Sequence, residues 1–219
     1  MCTFAPSKSE NKVMAATFVH KKALEKQDAR LFVLKHYKGG NVLSLSADNF
    51  FFEKMLLDKI NNNQVIDCYE YKKKDYLLGK KEFAVVKKMN KNCNHIYDNI
   101  FNADFTKYDF IFLDLCCNLS NETVTNIISS LQNFKGAIFI TLQRQREKFK
   151  PEDLDFYGVP QGTKEERKAF FRDKTFIELV KQYTGLKEIA KRYDYRNTKQ
   201  VRGKTKYGSP MGIYSFKRK

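Results

Sequence analysis

The sequence predicts an α/β protein: a seven-stranded, mostly parallel sheet with helices on both faces, closed by a C-terminal antiparallel β-hairpin. Three observations carry this. Short apolar runs alternate with helical stretches between residues 41 and 142. The runs are bounded by turn residues and are apolar through their length, as strands buried on both faces are. The last two strand-like segments follow one another with no helix between them, so they pair antiparallel.

Taken in order, residues 9–37 read as one or two helices, with Val13, Phe18, Ala23, Leu24, Leu31, Phe32 and Leu34 set among lysines and an end at Gly39 and Gly40. An N-terminal helical extension, 1–38, thus precedes a single domain, 39–219. The strand NVLSLSA (41–47) leads to a helix at about 51–60, and QVIDCYE (64–70) to a helix at about 75–89. CNHIYDNIF (93–101) holds a short third strand. The fourth strand, 109–115, is the most apolar, and the helix 121–134 and the strand GAIFITL (136–142) follow it. A loop carrying Pro151, Gly158, Pro160 and Gly162 precedes a helix of about 165–184. LKEIAKRYDYRN and PMGIYSFKRK form the hairpin.

At 219 residues and 42% hydrophobic, the chain can bury one full core. No stretch approaches the roughly 20 apolar residues needed to cross a bilayer, and MCTFAPSKSENK lacks the order of a signal peptide, so a soluble intracellular protein is expected. Five cysteines without CxxC spacing argue for reduced thiols, and His20, His36 and His95 form no HxH or HExxH pair, so no metal is expected. Lys and Arg number 41 against 25 Asp and Glu, a net charge of +16. Such an excess is the footprint of a protein that meets phosphate backbones, and RNA or DNA is the expected partner.

The stretch VLSLSADNFFFE passes from strand to helix with no glycine between Asn41 and Gly79. Together with five βα units, a sixth helix and a terminal hairpin, the order of elements over residues 39–219 resembles the class I methyltransferase fold, a Rossmann-like sheet that binds S-adenosylmethionine. The glycine motif itself is missing. A pyrophosphate demands close backbone approach at a helix N-terminus; S-adenosylmethionine has none, so its loop tolerates Ser46, Ala47, Asp48 and Asn49. Phe50 stands where a small residue is expected and is read as narrowing the pocket.

The resemblance implies a cofactor site at the carboxyl ends of the strands. Its expected members are Ser44, Ser46, Ala47, Asp48 and Asn49 from the first loop, and Glu70 and Tyr71 from the second. Asp104 and Phe105 would meet the adenine, and Asp114 and Leu115 would end the fourth strand. Glu70 is the expected acceptor for ribose hydroxyls. Asp114, an aspartate at the mouth of an apolar strand, is the expected catalytic residue, since burying such a group is costly unless it is satisfied. Asp114-Leu115-Cys116-Cys117 is similar to the DxPC motif of RNA cytosine-C5 methyltransferases, which makes Cys117 a second catalytic candidate. The Thr-Cys pair which that chemistry also needs is replaced by Thr141-Leu142.

Arg144, Arg146 and Lys148 after the fifth strand, and Arg196, Lys199, Arg202 and Lys204 near the hairpin, are the expected nucleic-acid contacts; basic residues interleaved with tyrosines suit charge neutralisation and stacking. The N-terminal helices either cover the cleft or offer a face to a protein partner. Two functions remain open from sequence: an S-adenosylmethionine-dependent methyltransferase acting on nucleic acid, and a non-catalytic Rossmann-like nucleic-acid-binding or scaffolding subunit that has lost its cofactor.

Overall fold

The computed structural model of the protein describes residues 24–45, 49–115, 117–201 and 204–218. Ser46, Ala47, Asp48 and Arg202 lie outside the described residues, as does most of the expected N-terminal extension.

Helix α1 (Leu24–Leu34) precedes β1 (Val42–Leu45), α2 (Phe51–Leu56), β2 (Ile66–Tyr69), α3 (Lys73–Met89), β3 (Cys93–Ile96) and β4 (Phe110–Leu113). Next come β5 (Asn118–Ser120), α4 (Asn121–Leu131), β6 (Ala137–Lys148), α5 (Pro151–Phe156), α6 (Lys164–Phe170) and α7 (Phe176–Thr184). The chain closes with β7 (Lys187–Glu188), β8 (Tyr193–Val201) and β9 (Lys204–Lys217). The sheet runs β3-β2-β1-β4-β6-β9-β7, with β5 also on β6 and β8 also on β9. Pairings from β3 through β6 are parallel and those of β9 antiparallel. The chain order reverses between β1 and β4, so the crevice between their carboxyl ends is the natural ligand position.

Alternation along the strands builds two cores. Val42, Phe110, Phe112 and Phe139 face one side, where Val33 of α1, Phe52 of α2 and Val86 of α3 cover them. Leu43, Ile111, Leu113, Ile138 and Ile140 face the other, under Ile127 of α4 and Phe176 and Val180 of α7. At the amino ends of the strands, Gly40 and Gly136 close on Asp109 so tightly that a Cβ on either would collide with it. The Asp109 carboxylate accepts from the Asn41 amide at 2.8 Å.

Three departures from the expected elements have physical causes. The sixth expected strand is broken into β7 and β8, which lie on the same edge of β9; between them Arg192 turns away to bind Asp173 and Asp194. Strand β6 continues to Lys148 through the polar run QRQREK, because β5 supplies partners as far as Lys148. The loop expected at Pro151 opens with helix α5, whose start is fixed by proline in the first turn and by the Asp153 carboxylate accepting from the Lys150 amide at 2.8 Å. Between α6 and α7 the helix is continuous through a π turn, Phe171–Thr175, which carries Arg172 and Asp173.

Candidate functional site

A cleft of about 520 Å³ opens at the carboxyl ends of the parallel strands. Leu45 closes β1 on one wall, Glu70 follows β2, and Asn99, Ile100 and Phe101 follow β3. Asp114, Leu115 and Cys117 follow β4, Thr123 and Asn126 come from α4, and Lys26 reaches in from α1.

Glu70 is held at the strand end by its own amide, which donates to Ile96 O at 3.0 Å. One carboxylate oxygen accepts from the Lys72 amide at 2.8 Å. Burial pushes its pKa up, against that hydrogen bond and the Lys72 charge. Tyr71 also lines the cleft, with 61% of its surface exposed and the Lys72 ammonium 5.5 Å from its ring centre. Asp114 is partly buried, and Lys26 Nζ stands 3.3 Å from its Oδ2.

The first loop is built differently from its sequence reading. Ser44 is fully buried beneath α2 and donates to Glu53 Oε1 at 2.6 Å, so its hydroxyl is spent inside the fold rather than in the cleft. Asn49 Oδ1 accepts from the Phe51 amide at 3.3 Å and steadies the entry to α2. Phe50 takes the left-handed conformation, φ 50°, alone among the described non-glycine residues. Its ring does not narrow the pocket. It is completely buried on the opposite side, against Phe83 at 5.6 Å and His95 at 4.9 Å. Ring burial supplies what glycine supplies elsewhere, a stable residue at positive φ, at a backbone cost of about 1–3 kcal/mol.

Asp104 and Phe105 need the same correction. The exposed Asp104 carboxylate accepts from the Thr106 hydroxyl and amide of its own turn, and these hydrogen bonds lower its pKa. Phe105 is core. β3 ends at Ile96, so the loop at the cleft begins earlier than the matched position, and Asn99, Ile100 and Phe101 occupy the wall. Counting from the strand end rather than from β4 finds them. Lys26, Glu122, Thr123 and Asn126 carried no local signal, since α1 and α4 meet the cleft only through tertiary packing.

Cys117 sits in the wall, but burial raises its thiol above the ordinary range against a hydrogen bond from Thr123, which disfavours the thiolate that nucleophilic attack requires. Arg144 is bound to Asp194 at 2.7 Å. The Arg196 amide donates to Glu25 Oε2 at 2.7 Å, with its side chain exposed. Lys148 is exposed on β6. Arg146, Lys199 and Lys204 lie within strands, but their side chains are outside the described set.

The electrostatics of the cleft oppose those of the chain. Glu70, Asp75, Asp114 and Glu122 face Lys26 and Lys72 in its lining, four carboxylates to two ammonium groups, in a protein of net charge +16. With Leu45, Ile100, Phe101 and Leu115 as apolar walls, this lining fits a cationic nucleoside: carboxylates to accept hydroxyl and amine hydrogens, side chains to flank a ring, and a first loop without phosphate-binding glycines.

No protein-family model matches the sequence, and no curated protein does. The fold has many relatives among solved structures. A candidate RNA methyltransferase from Pyrococcus horikoshii superimposes with a TM-score of 0.55 at 11% identity, over 96% of this chain and 98% of that one. Precorrin-6y C5,15-methyltransferase from Geobacter metallireducens gives 0.52 at 11%, over 91% and 92%. A SAM-dependent O-methyltransferase from Thermotoga maritima gives 0.51 at 10%, over 95% and 70%. The architecture is that of the class I S-adenosylmethionine-dependent methyltransferases.

Proposed function

We propose that the protein is an S-adenosylmethionine-dependent methyltransferase acting on nucleic acid. The observation that carries this reading is the acidic cleft at the switch point of a methyltransferase-type sheet, with Glu70 at the end of β2. Glu70 would accept from ribose hydroxyls, Leu45, Ile100, Phe101 and Leu115 would flank the adenine, and the carboxylates would balance the cofactor's positive charge. When bound, the cofactor supplies an already activated methyl group. What remains for the protein is to hold an acceptor in line with it. Asp114 would accept a hydrogen from the acceptor's N–H or O–H and so orient the acceptor atom toward the donor. The thiol of Cys117 stays protonated and serves as wall. The +16 charge and the likeness to a candidate RNA methyltransferase support nucleic acid as the substrate class.

Calorimetry with S-adenosylmethionine and with its demethylated product tests the reading. Saturable binding that weakens roughly 10- to 100-fold in Glu70→Gln is the expected result, the loss of a charged hydrogen-bond acceptor. An absence of heat at millimolar ligand would reject it. That outcome would favour the second reading, a nucleic-acid-binding subunit without cofactor, for which the Lys26 ammonium already standing at Asp114 is the specific observation.

A further inference from the structure

On the hairpin side two arginines are engaged with carboxylates, Arg144 with Asp194 and Arg192 with Asp173 and Asp194, while Lys148 and Arg196 are exposed there without lining the cleft. The rim of the cleft formed by Tyr71, Lys72 and the start of α3 carries a denser group of lysines. Lys72, Lys73, Lys74, Lys80 and Lys81 are all exposed. Among the described residues none of the five makes a salt bridge within 4.0 Å, although the Lys72 charge acts on Glu70, and the nearby Glu82 is taken by Lys54 at 2.5 Å. Amid these lysines stand a ring and two leucines turned to solvent: Tyr71 is 61% exposed, Leu77 51% and Leu78 56%. Lys80 Nζ lies 5.4 Å from the Tyr76 ring centre, so aromatic faces and cations are interleaved here too. Tyr71 and Lys72 also belong to the cleft wall, which makes the patch continuous with the site. Lysines in the first turn of α3 oppose the helix dipole, so they are not there for the helix's sake.

From this juxtaposition we propose that the Tyr71 and α3 face is the entry platform for single-stranded nucleic acid. A base flanking the acceptor stacks on Tyr71, phosphates run along Lys73, Lys74 and Lys80, and the acceptor base turns into the acidic cleft. An unpaired strand is required because a ring can stack only on a base face that is not already covered by a neighbour. The division of charge gives direction: the cleft repels phosphate and the platform attracts it, so the backbone stays outside while a base enters. The inference rests on the nucleic-acid reading given above and names the surface that would serve it.

The test is fluorescence anisotropy of a labelled single-stranded oligouridine against the full chain. Replacing Lys73, Lys74 and Lys80 by Ala should weaken binding about tenfold or more and lower the slope of log K against log salt by about 2. The same number of charges removed at the far pole, Lys38, Lys59 and Lys135 to Ala, should have a much smaller effect. Tyr71→Ala should cost about tenfold and Tyr71→Trp should restore binding. Equal losses from both lysine triples, or no effect of Tyr71→Ala, would overturn the platform and leave only net charge; so would duplex of the same length or polyglutamate competing as well as the single strand. Calorimetry with S-adenosylmethionine on the α3 triple separates the two proposals. Unchanged heat with lost oligouridine binding supports the platform, whereas a wild-type chain that binds oligouridine here but gives no cofactor heat sinks the methyltransferase reading alone.

Discussion

Lys26 of α1 places its ammonium 3.3 Å from Asp114 Oδ2, at the end of β4 and inside the cleft. A helix that precedes the sheet in sequence thereby supplies a positive charge to the position where a cationic methyl donor would need negative potential. Lys26→Met should tighten S-adenosylmethionine binding about three- to fivefold, the scale of a partly exposed ion pair. The demethylated product lacks the sulfonium charge and should gain less. The ratio of the two affinities by calorimetry is the measurement; an unchanged ratio would mean that Lys26 is only part of the wall.

Phe50 carries two opposed terms. Phe50→Gly relieves the left-handed backbone but empties a fully buried site between Phe83 and His95. Ring loss costs about 3–5 kcal/mol and relief returns about 1–3 kcal/mol. Restoring the glycine expected from the fold should therefore destabilise the chain by roughly 2 kcal/mol, and by no more than about 4 kcal/mol, read as a lower urea midpoint.

Glu53 gives a pH dependence with a definite sign. Burial raises its carboxyl above 4.5, against the Ser44 hydrogen bond and the Arg30 charge. A raised folded-state pKa means that the stability it contributes is fully present below 4.5 and is lost as pH rises through the folded value. Glu53→Gln keeps an acceptor for Ser44 and cannot ionise. The variant should be more stable than the wild type near about pH 7.5, with the difference closing in acid. Melting temperatures of both proteins across that range decide it.

Arg172 binds Glu147 at 2.5 Å and Asp173 at 2.7 Å, with 6% of its side chain exposed and 2% of that of Glu147. Arg172→Met removes the cation from a buried carboxylate and should cost about 3–5 kcal/mol. The double variant Arg172→Met with Glu147→Leu should recover most of the loss. If it does not, Asp173 and its link to Arg192 carry the network.

Periodicity made the parallel core legible, because buried strands such as Phe110–Leu113 and the helix Lys73–Met89 announce themselves locally. Strand β6 was legible only to its apolar limit; its polar half is a strand because backbone partners exist on β5, which composition does not encode. Glu70 was readable as a strand-end acid. Asn99 was hidden because its own side chain caps a turn, accepting from the Phe101 amide at 3.1 Å like any loop asparagine. Lys26 could not be found from sequence at all, since nothing in LEKQDARLFVL indicates which residue will face Asp114.

Gly40 and Gly136 meet at Asp109 on the pole of the sheet away from the cleft. Mutational tolerance is thereby distributed unevenly along the strands. At the amino pole two positions admit no side chain at all, while at the cleft pole even the turn residue of the first loop is a phenylalanine. Inheritance in this lineage should thus be read from the amino pole: distant descendants should keep the two glycines and the aspartate while their loops around the cleft change.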